Sequence, residues 1–84
     1  MHYVYVLRSL KDSRFYVGFT ADINKRVNEH NSGKVISTKS RSPFELIYYE
    51  AYKYEQDARN QEIFYKTGQG RRILNKRLRS VVKT

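Results

Sequence analysis

The first part of the chain contains two apolar runs separated by polar residues, which predict two β-strands joined by a hairpin. Tyr3 to Leu7 and Phe15 to Phe19 are rich in β-branched and aromatic residues, and polar residues separate them. A four-residue loop over Ser9 to Asp12 would close this hairpin. Tyr5 would then lie opposite Tyr16 on the neighbouring strand.

A short helix is predicted next. Asp22 is a favourable N-cap, Ile23 to Asn31 carries apolar residues at helical spacing, and Gly33 is a stop signal. The polar stretch Ser37 to Ser42 leads to the only proline, Pro43, and predicts a loop that divides the chain into halves.

The second half predicts one strand and two helices. Phe44 to Tyr52 has strand composition, Glu55 to Lys66 contains no helix breaker, and Gly68 to Gly70 is expected to interrupt the chain. The last helix is basic, with an apolar stripe that is expected to pack across the sheet, formed by Ile73, Leu74, Leu78 and Val81. The order is therefore ββαβαα. Strands that are apolar on both faces favour a central sheet covered by helices on each side, the alternative being a three-stranded sheet covered on one face.

Length and composition narrow the class of protein. A chain of 84 residues with 39% hydrophobic residues predicts one domain over residues 1–84. The absence of cysteine excludes a disulfide framework and a thiolate zinc site. The apolar stretches are too short to span a membrane and the amino terminus lacks a signal-peptide pattern, so the expected location is the cytoplasm.

The charge is strongly positive and unevenly distributed. Seventeen Lys and Arg against eight Asp and Glu give a net charge of +9, and no acidic residue follows Glu62. The basic residues after it are Lys66, Arg71, Arg72, Lys76, Arg77, Arg79 and Lys83. Such a surface attracts polyanions by counterion release, which predicts nucleic acid as partner and no membrane. The alternative is a basic protein whose charge provides solubility alone.

Several polar side chains fall where the helical pattern expects apolar ones. Arg26 and His30 share the apolar side of the first helix, and Glu62 lies inward or at the edge of the second. A guanidinium fork suits a phosphate, and one carboxylate can hold Mg²⁺ together with substrate oxygens and water. The alternatives are an internal pair such as Arg26 with Glu62, or long side chains that extend to solvent.

Two tripeptides on the predicted strands, Tyr3-Val4-Tyr5 and Tyr16-Val17-Gly18, give the chain a resemblance to the GIY-YIG endonuclease family, especially its small stand-alone members. The family's first tripeptide is present as Tyr3-Val4-Tyr5, and the second, after ten intervening residues, as Tyr16-Val17-Gly18. Tyr3 stands where the family name has Gly. The remaining matches are Thr20, Asp22, Arg26, His30, Asn31, Gly33, Pro43, Tyr48-Tyr49-Glu50, Ala58, Glu62 and Lys66.

The resemblance implies a layered α/β (α+β) domain with a three-stranded antiparallel sheet flanked by helices. It also implies five catalytic residues. Tyr5 or Tyr16 would be the general base or its close partner, Arg26 a phosphate and transition-state contact, His30 a proton relay or water positioner, and Glu62 the metal ligand. The expected cofactor is Mg²⁺ or Mn²⁺.

The expected activity is metal-dependent hydrolysis of DNA with little sequence preference, selective for substrate structure, in a monomer or weak homodimer. DNA is favoured over RNA as the substrate. Nucleic-acid contacts are expected from Lys66, Arg71, Arg72, Lys76 and Arg77. Two alternatives remain: a non-catalytic nucleic-acid-binding module, and a basic factor bound to ribosomal RNA.

Overall fold

The computed structural model describes residues 1–82, and its centre is a three-stranded antiparallel sheet. The strands are β1 (His2–Ser9), β2 (Phe15–Thr20) and β3 (Phe44–Tyr52), in the spatial order β2-β1-β3. The central strand β1 has four consecutive buried residues, because helices cover both faces of the sheet. The predicted antiparallel α+β architecture is thus confirmed. Lys83, the last basic residue of the chain, lies outside the described residues.

The first helix, α1 (Ile23–Asn31), forms as predicted. The Asp22 side chain accepts a hydrogen bond from the Lys25 backbone at 3.1 Å, which satisfies a free N–H of the first turn. Gly33 follows the helix with φ of 76°, a conformation that glycine adopts without strain. The predicted loop then contains a short 3₁₀ turn at Lys39–Arg41.

Three helices follow β3, where two were predicted: α2 (Glu55–Tyr65), α3 (Gly68–Arg77) and α4 (Arg79–Val82). The predicted last helix is divided because α3 ends with its C-cap at Leu78. The predicted interruption at Gly68 to Gly70 is wrong, since both glycines lie in the first turn of α3 and the break falls at Lys66 and Thr67. The Thr67 hydroxyl caps α3 by accepting from the Gly70 N–H at 3.0 Å. A Cβ at Gly70 would lie 1.9 Å from the Phe64 carbonyl, so glycine here permits close packing of α3 on α2.

Two separate apolar clusters lie on opposite faces of the sheet. On one face, valines of β1 and β2 pack against Ala58, Tyr65 and Leu74. On the other, Tyr5, Leu7 and Phe44 pack against Tyr16 and Val27. The expectation that the basic helix crosses the sheet is only partly met, because α3 packs chiefly on α2 and reaches the strand valines through the cluster that contains Leu74. In the part of the chain described, no helix is long and apolar enough to cross a membrane.

The hairpin has a different register from the predicted one. Tyr5 pairs with Gly18 and Leu7 pairs with Tyr16, so the predicted pairing of Tyr5 with Tyr16 is wrong. Strand β1 continues through Ser9, and the four loop residues are 10–13 instead of 9–12. Because the shift between the strands is two residues, Tyr5 and Tyr16 still point to the same face of the sheet as diagonal neighbours.

Side-chain hydrogen bonds in the loop explain the shift. The Ser9 hydroxyl oxygen accepts from the backbone N–H groups of Lys11 at 3.1 Å and Asp12 at 3.2 Å. The Asp12 carboxylate accepts from the Arg14 N–H at 2.8 Å, while Ser13 adopts φ of 62°. These local bonds place the turn one residue later than strand composition alone predicts.

A largely buried carboxylate joins β3 to α2. Glu50 accepts hydrogen bonds from the phenols of Tyr48 at 2.6 Å and Tyr52 at 2.5 Å, and from that of Tyr65. The Gln61 amide donates to it at 3.0 Å. Burial alone would raise the pKa of Glu50, but these hydrogen bonds lower it below its ordinary value. The network fixes α2 over the sheet, and α2 carries Glu62.

Candidate active site

The buried centre of the site is a chain of hydrogen bonds through His30. Tyr5 is 1% exposed and His30 is fully buried, and the Tyr5 hydroxyl lies 2.9 Å from His30 Nε2. On the other side of the ring, His30 Nδ1 lies 2.7 Å from the hydroxyl of buried Thr38. Both ring nitrogens therefore have fixed partners, which orient the imidazole.

The hydrogen-bond inventory assigns the tautomer of His30. The Thr38 hydroxyl also lies 3.4 Å from the Val35 carbonyl, and only its proton can make that bond. Thr38 therefore accepts the Nδ1–H of His30, and the unprotonated Nε2 accepts the Tyr5 hydroxyl proton. Burial and the Arg26 charge lower the pKa of His30, so the ring is neutral at pH 7.

Arg26 extends this chain toward solvent. Its Nε donates to the Tyr5 hydroxyl at 3.4 Å, and its Nη1 lies 3.2 Å from the Glu29 carboxylate. The side chain is 35% exposed, so the guanidinium is held from behind by two partners while part of it faces outward. This geometry leaves donors for an incoming phosphate oxygen.

The pKa of Tyr5 is raised even though the Arg26 guanidinium lies beside its hydroxyl. Burial raises the pKa of Tyr5 to about 12, and the Arg26 hydrogen bond offsets only part of this effect. The phenol therefore remains protonated at neutral pH in the free protein. Loss of its proton requires simultaneous transfer to a base, and His30 Nε2 is the base in contact with it.

Tyr16 and Gly18 on β2 complete this side of the site. The Tyr16 ring centroid lies 6.4 Å from that of Tyr5 and 5.0 Å from that of His30, and Tyr16 is partly exposed. Tyr16 is therefore the outer phenol and Tyr5 the inner one. A Cβ at Gly18 would lie 2.3 Å from the Tyr5 hydroxyl oxygen, so the second tripeptide ends in Gly to make room for that oxygen.

Glu62 approaches the same phenols from α2. Lys66 Nζ lies 3.0 Å from the Glu62 carboxylate and 5.9 Å from the centroid of the Tyr16 ring. The Glu62 charge also contributes to the raised pKa of Tyr5. The fold thus brings all five candidate catalytic residues together, from β1, β2, α1 and α2. Arg26 and Glu62 each pair with another residue of the same helix, and not with each other.

The donor set fits a metal ion that the substrate helps to bind. Residues 1–82 contain no group of three His, Cys, Asp or Glu placed to hold a metal ion. Glu62, with a side chain 19% exposed, supplies one carboxylate near Tyr5. Mg²⁺ often uses one or two carboxylates and completes its shell with water and phosphate oxygens, a requirement that this single ligand can meet.

Two of the five candidate nucleic-acid contacts line a common cleft, and the other three lie outside it. Lys66 and Arg71 line a cleft that also contains Tyr16, whereas Arg72 and Lys76 are exposed on α3 outside that cleft. Arg77 donates to the Tyr65 phenol at 3.3 Å and lies 3.6 Å from Glu50, so it supports the network between β3 and α2.

Comparison with known proteins identifies the family of the chain. The model of the GIY-YIG catalytic domain matches residues 1–78. The chain belongs to the GIY-YIG family. It therefore carries a domain of a nuclease family, with that domain's tyrosine-bearing strands at the centre of the site described above.

The relatives match most of the length of this chain. The chain is 43% identical over 67 residues to a UPF0213 protein of Bacillus pumilus, covering 79% of this chain and 67% of that protein. It is 41% identical to UPF0213 protein YazA of Bacillus subtilis, covering 77% of this chain and 66% of that protein. The chain thus spans about two thirds of the length of these relatives, whose names state no activity.

A solved structure supports the fold directly. The solution NMR structure of UPF0213 protein BH0048 from Bacillus halodurans superposes with a TM-score of 0.56 at 32% identity. The match covers 92% of this chain and 84% of that one.

Two residues that contact the candidate catalytic residues were not predicted from the sequence. Thr38 lies in the polar loop, where neither helical nor strand periodicity singles it out, yet it is fully buried against His30. Glu29 is one of several acidic helix residues, and only its spacing of three residues from Arg26 indicated a contact.

Proposed function

We propose that the protein is a divalent-metal-dependent endonuclease that hydrolyses phosphodiester bonds of DNA with little sequence preference. Its expected substrates are distinguished by structure, such as branched, nicked or single-stranded DNA, which arise during repair and recombination. Membership of the GIY-YIG family supports nuclease chemistry, and metal dependence and DNA selectivity are the parts that experiment must decide.

One observation carries the proposal: the hydrogen-bonded chain from Thr38 through His30 and Tyr5 to Arg26. A structural role alone would be met by His30 and Tyr5 packing in the core. The chain instead ends at a partly exposed guanidinium, beside an outer phenol and a carboxylate from another helix. The alternative of an internal pair between Arg26 and Glu62 is not met, because the two side chains have separate partners.

In this proposal, Tyr5 and His30 act as a unit in proton transfer. As the attacking water loses its proton to the Tyr5 oxygen, the Tyr5 hydroxyl proton passes to His30 Nε2, 2.9 Å away. The water becomes hydroxide, Tyr5 stays neutral and His30 becomes an imidazolium. Thr38 continues to accept the Nδ1 proton throughout. Tyr16, the outer phenol, positions the water or a phosphate oxygen.

Arg26 neutralises charge that develops on the phosphate. Its contacts with Tyr5 and Glu29 hold the guanidinium in place before substrate arrives, so little reorganisation is needed during the reaction. Glu62 would hold the divalent ion, which stabilises negative charge on the leaving oxygen when bound. The Glu62 carboxylate must exchange its contact with Lys66 for this role.

The deciding experiment is cleavage of labelled linear, branched and single-stranded DNA and RNA with Mg²⁺, Mn²⁺ or chelator. Glu62→Ala is the test variant, and Glu55→Ala is its control, because Glu55 lies on the same helix in an exposed pair with Arg59. We expect cleavage that requires the metal, is lost in Glu62→Ala and persists in Glu55→Ala, with oligonucleotide binding retained in both variants.

Other outcomes of this experiment have definite meanings. Cleavage by Glu62→Ala would remove Glu62 as the metal ligand. Binding without cleavage across all substrates and metals would favour the non-catalytic binding module. Preferential cleavage of RNA would replace DNA as the substrate while leaving the chemistry unchanged.

A further inference from the structure

A basic cleft runs from Tyr16 along the space between the β1–β2 hairpin and α3. It encloses about 800 Å³, and buried Val17, Tyr65 and Leu74 form its base. The hairpin supplies Arg14 to one wall, and α3 supplies Arg71 to the other. Tyr16, on the edge strand β2, lines this cleft and also packs against Tyr5 and His30, so the cleft borders the candidate catalytic residues.

Positive charge predominates among the described residues that line this cleft. Five basic side chains line it against a single acidic one, Asp12, and these five are Arg8, Arg14, Arg41, Lys66 and Arg71. Asp12 is bound by Arg41 at 2.9 Å, and Lys66 is bound by Glu62. Arg14 and Arg71 form no ion pair with any residue among 1–82. Two guanidinium groups on opposite walls are therefore available to an anionic ligand.

The cleft dimensions restrict that ligand. A volume of about 800 Å³ is within the range of sites that bind ligands of small-molecule size. It can admit a short length of one polynucleotide strand, and it is too small for the full cross-section of a duplex. Guanidinium groups on both walls suit the repeating phosphates of such a strand, since Arg binds phosphate oxygens through paired N–H donors.

We propose that this cleft binds the strand next to the scissile phosphodiester, with Arg14 and Arg71 contacting consecutive phosphates and Tyr16 at the catalytic end. This assignment rests on the proposed function for the position of the scissile bond, but strand binding itself needs no hydrolysis. It adds Arg14 to the candidate contacts and replaces the exposed α3 residues Arg72 and Lys76 as the main contacts.

The test compares two double variants with equal loss of charge. Arg14→Ala with Arg71→Ala removes the cleft cations, and Arg72→Ala with Lys76→Ala removes cations outside the cleft. Fluorescence anisotropy of a labelled oligonucleotide is measured in chelator, so that no cleavage occurs, across a series of salt concentrations. Circular dichroism confirms that each variant is folded.

The expected result is a selective change in the cleft variant. Each lost phosphate contact should reduce the magnitude of the slope of log affinity against log salt by about 0.7 to 0.9. The slope of the cleft variant should therefore be smaller than that of wild type by roughly 1.4 to 1.8. The control variant should lose less than half as much. Equal losses in the two variants, or no loss in the cleft variant, would overturn the proposal.

The comparison is made with a single-stranded oligonucleotide and with a blunt duplex, to show whether the bound strand must be unpaired. A selective loss on the single strand alone assigns the cleft to an unpaired strand, and a selective loss on both assigns it to either strand type. Either result supports the cleft as the site. If cleavage fails for every substrate but this selective loss persists, the cleft assignment stands and the catalytic proposal falls.

Discussion

Replacing Glu50 with Gln tests the carboxylate that fixes α2, and with it Glu62, over the sheet. The substitution preserves side-chain volume but removes the negative charge and turns one acceptor oxygen into a donating NH₂ group. Each Glu50 oxygen accepts two hydrogen bonds: one from Tyr48 and Tyr65, the other from Tyr52 and Gln61. In either orientation of the amide, two donors therefore lose their acceptor.

The magnitude follows from these two lost bonds. A hydrogen bond to a charged group contributes about 1.5 to 3 kcal/mol, so two of them at the lower figure give a loss of about 3 kcal/mol. Domains have roughly 0.05 to 0.15 kcal/mol of stability per residue, which is about 4 to 13 kcal/mol for 84 residues. The variant should thus lose a large share of its stability while remaining folded at low temperature.

Urea unfolding followed by circular dichroism measures this loss, and its pH dependence identifies the cause. The folded-state pKa of Glu50 is below the ordinary value of 4.5, so its charge stabilises the fold above pH 4.5. This contribution is lost as the pH falls through the lower, folded-state pKa. The difference between wild type and Glu50→Gln should therefore be greatest near pH 7 and should shrink as the pH falls below about 4.5.

Glu45→Gln provides the matched control, because Glu45 lies exposed on the same strand. Its free energy of unfolding should change by no more than about 0.5 kcal/mol. A loss below 1 kcal/mol in Glu50→Gln, or a difference from wild type that stays constant with pH, would refute the account of Glu50 as a charged acceptor.

Three further predictions concern the site. Gly18→Ala should lower the free energy of unfolding by about 1 to 3 kcal/mol and displace the Tyr5 ring, since the new Cβ would lie 2.3 Å from the Tyr5 hydroxyl oxygen. Gly68→Ala is the control, because no atom lies within 4 Å of its new Cβ, and it should be neutral or stabilising in the same urea assay. Thr38→Val should leave Nδ1 of His30 without an acceptor and shift the tautomer, which ¹⁵N NMR of the ring detects, and unchanged ring shifts would contradict the assignment. NMR titration should give His30 a pKa below its ordinary value of 6.5. Because the folded state resists protonation, the stability due to neutral His30 is present above pH 6.5 and should be lost as the pH falls through the folded-state pKa.

The elements of the fold were largely encoded in local sequence. Phe44–Tyr52 and Ile23–Asn31 have the bounds that composition and capping predicted, because strand propensity, an Asp N-cap and helical spacing act over a few residues. The predicted register of the hairpin was wrong, because local strand composition does not fix it. It depends on which hydroxyl and carboxylate bind the loop backbone, and strand composition carries no information on that choice.

The grouping of the five candidate catalytic residues came from the ordered family motif, since no short-range pattern links Tyr5 to Glu62. The structure brings these residues into one region, while their roles remain predictions. The sequence also indicated a polyanion-binding surface from net charge alone. It did not indicate that Arg77 is occupied by Tyr65 and Glu50, or that Arg14 faces Arg71 across a cleft.

By itself, then, the sequence determined the order of the three strands and the first three helices, the family and the candidate catalytic side chains, all of which depend on residue type and local spacing. Only the tertiary structure decided the His30 tautomer, the protonated state of Tyr5 and the walls of the basic cleft. Those properties arise from burial and from contacts between residues far apart in the chain, such as Tyr5 with His30 and Arg14 with Arg71 on opposing walls.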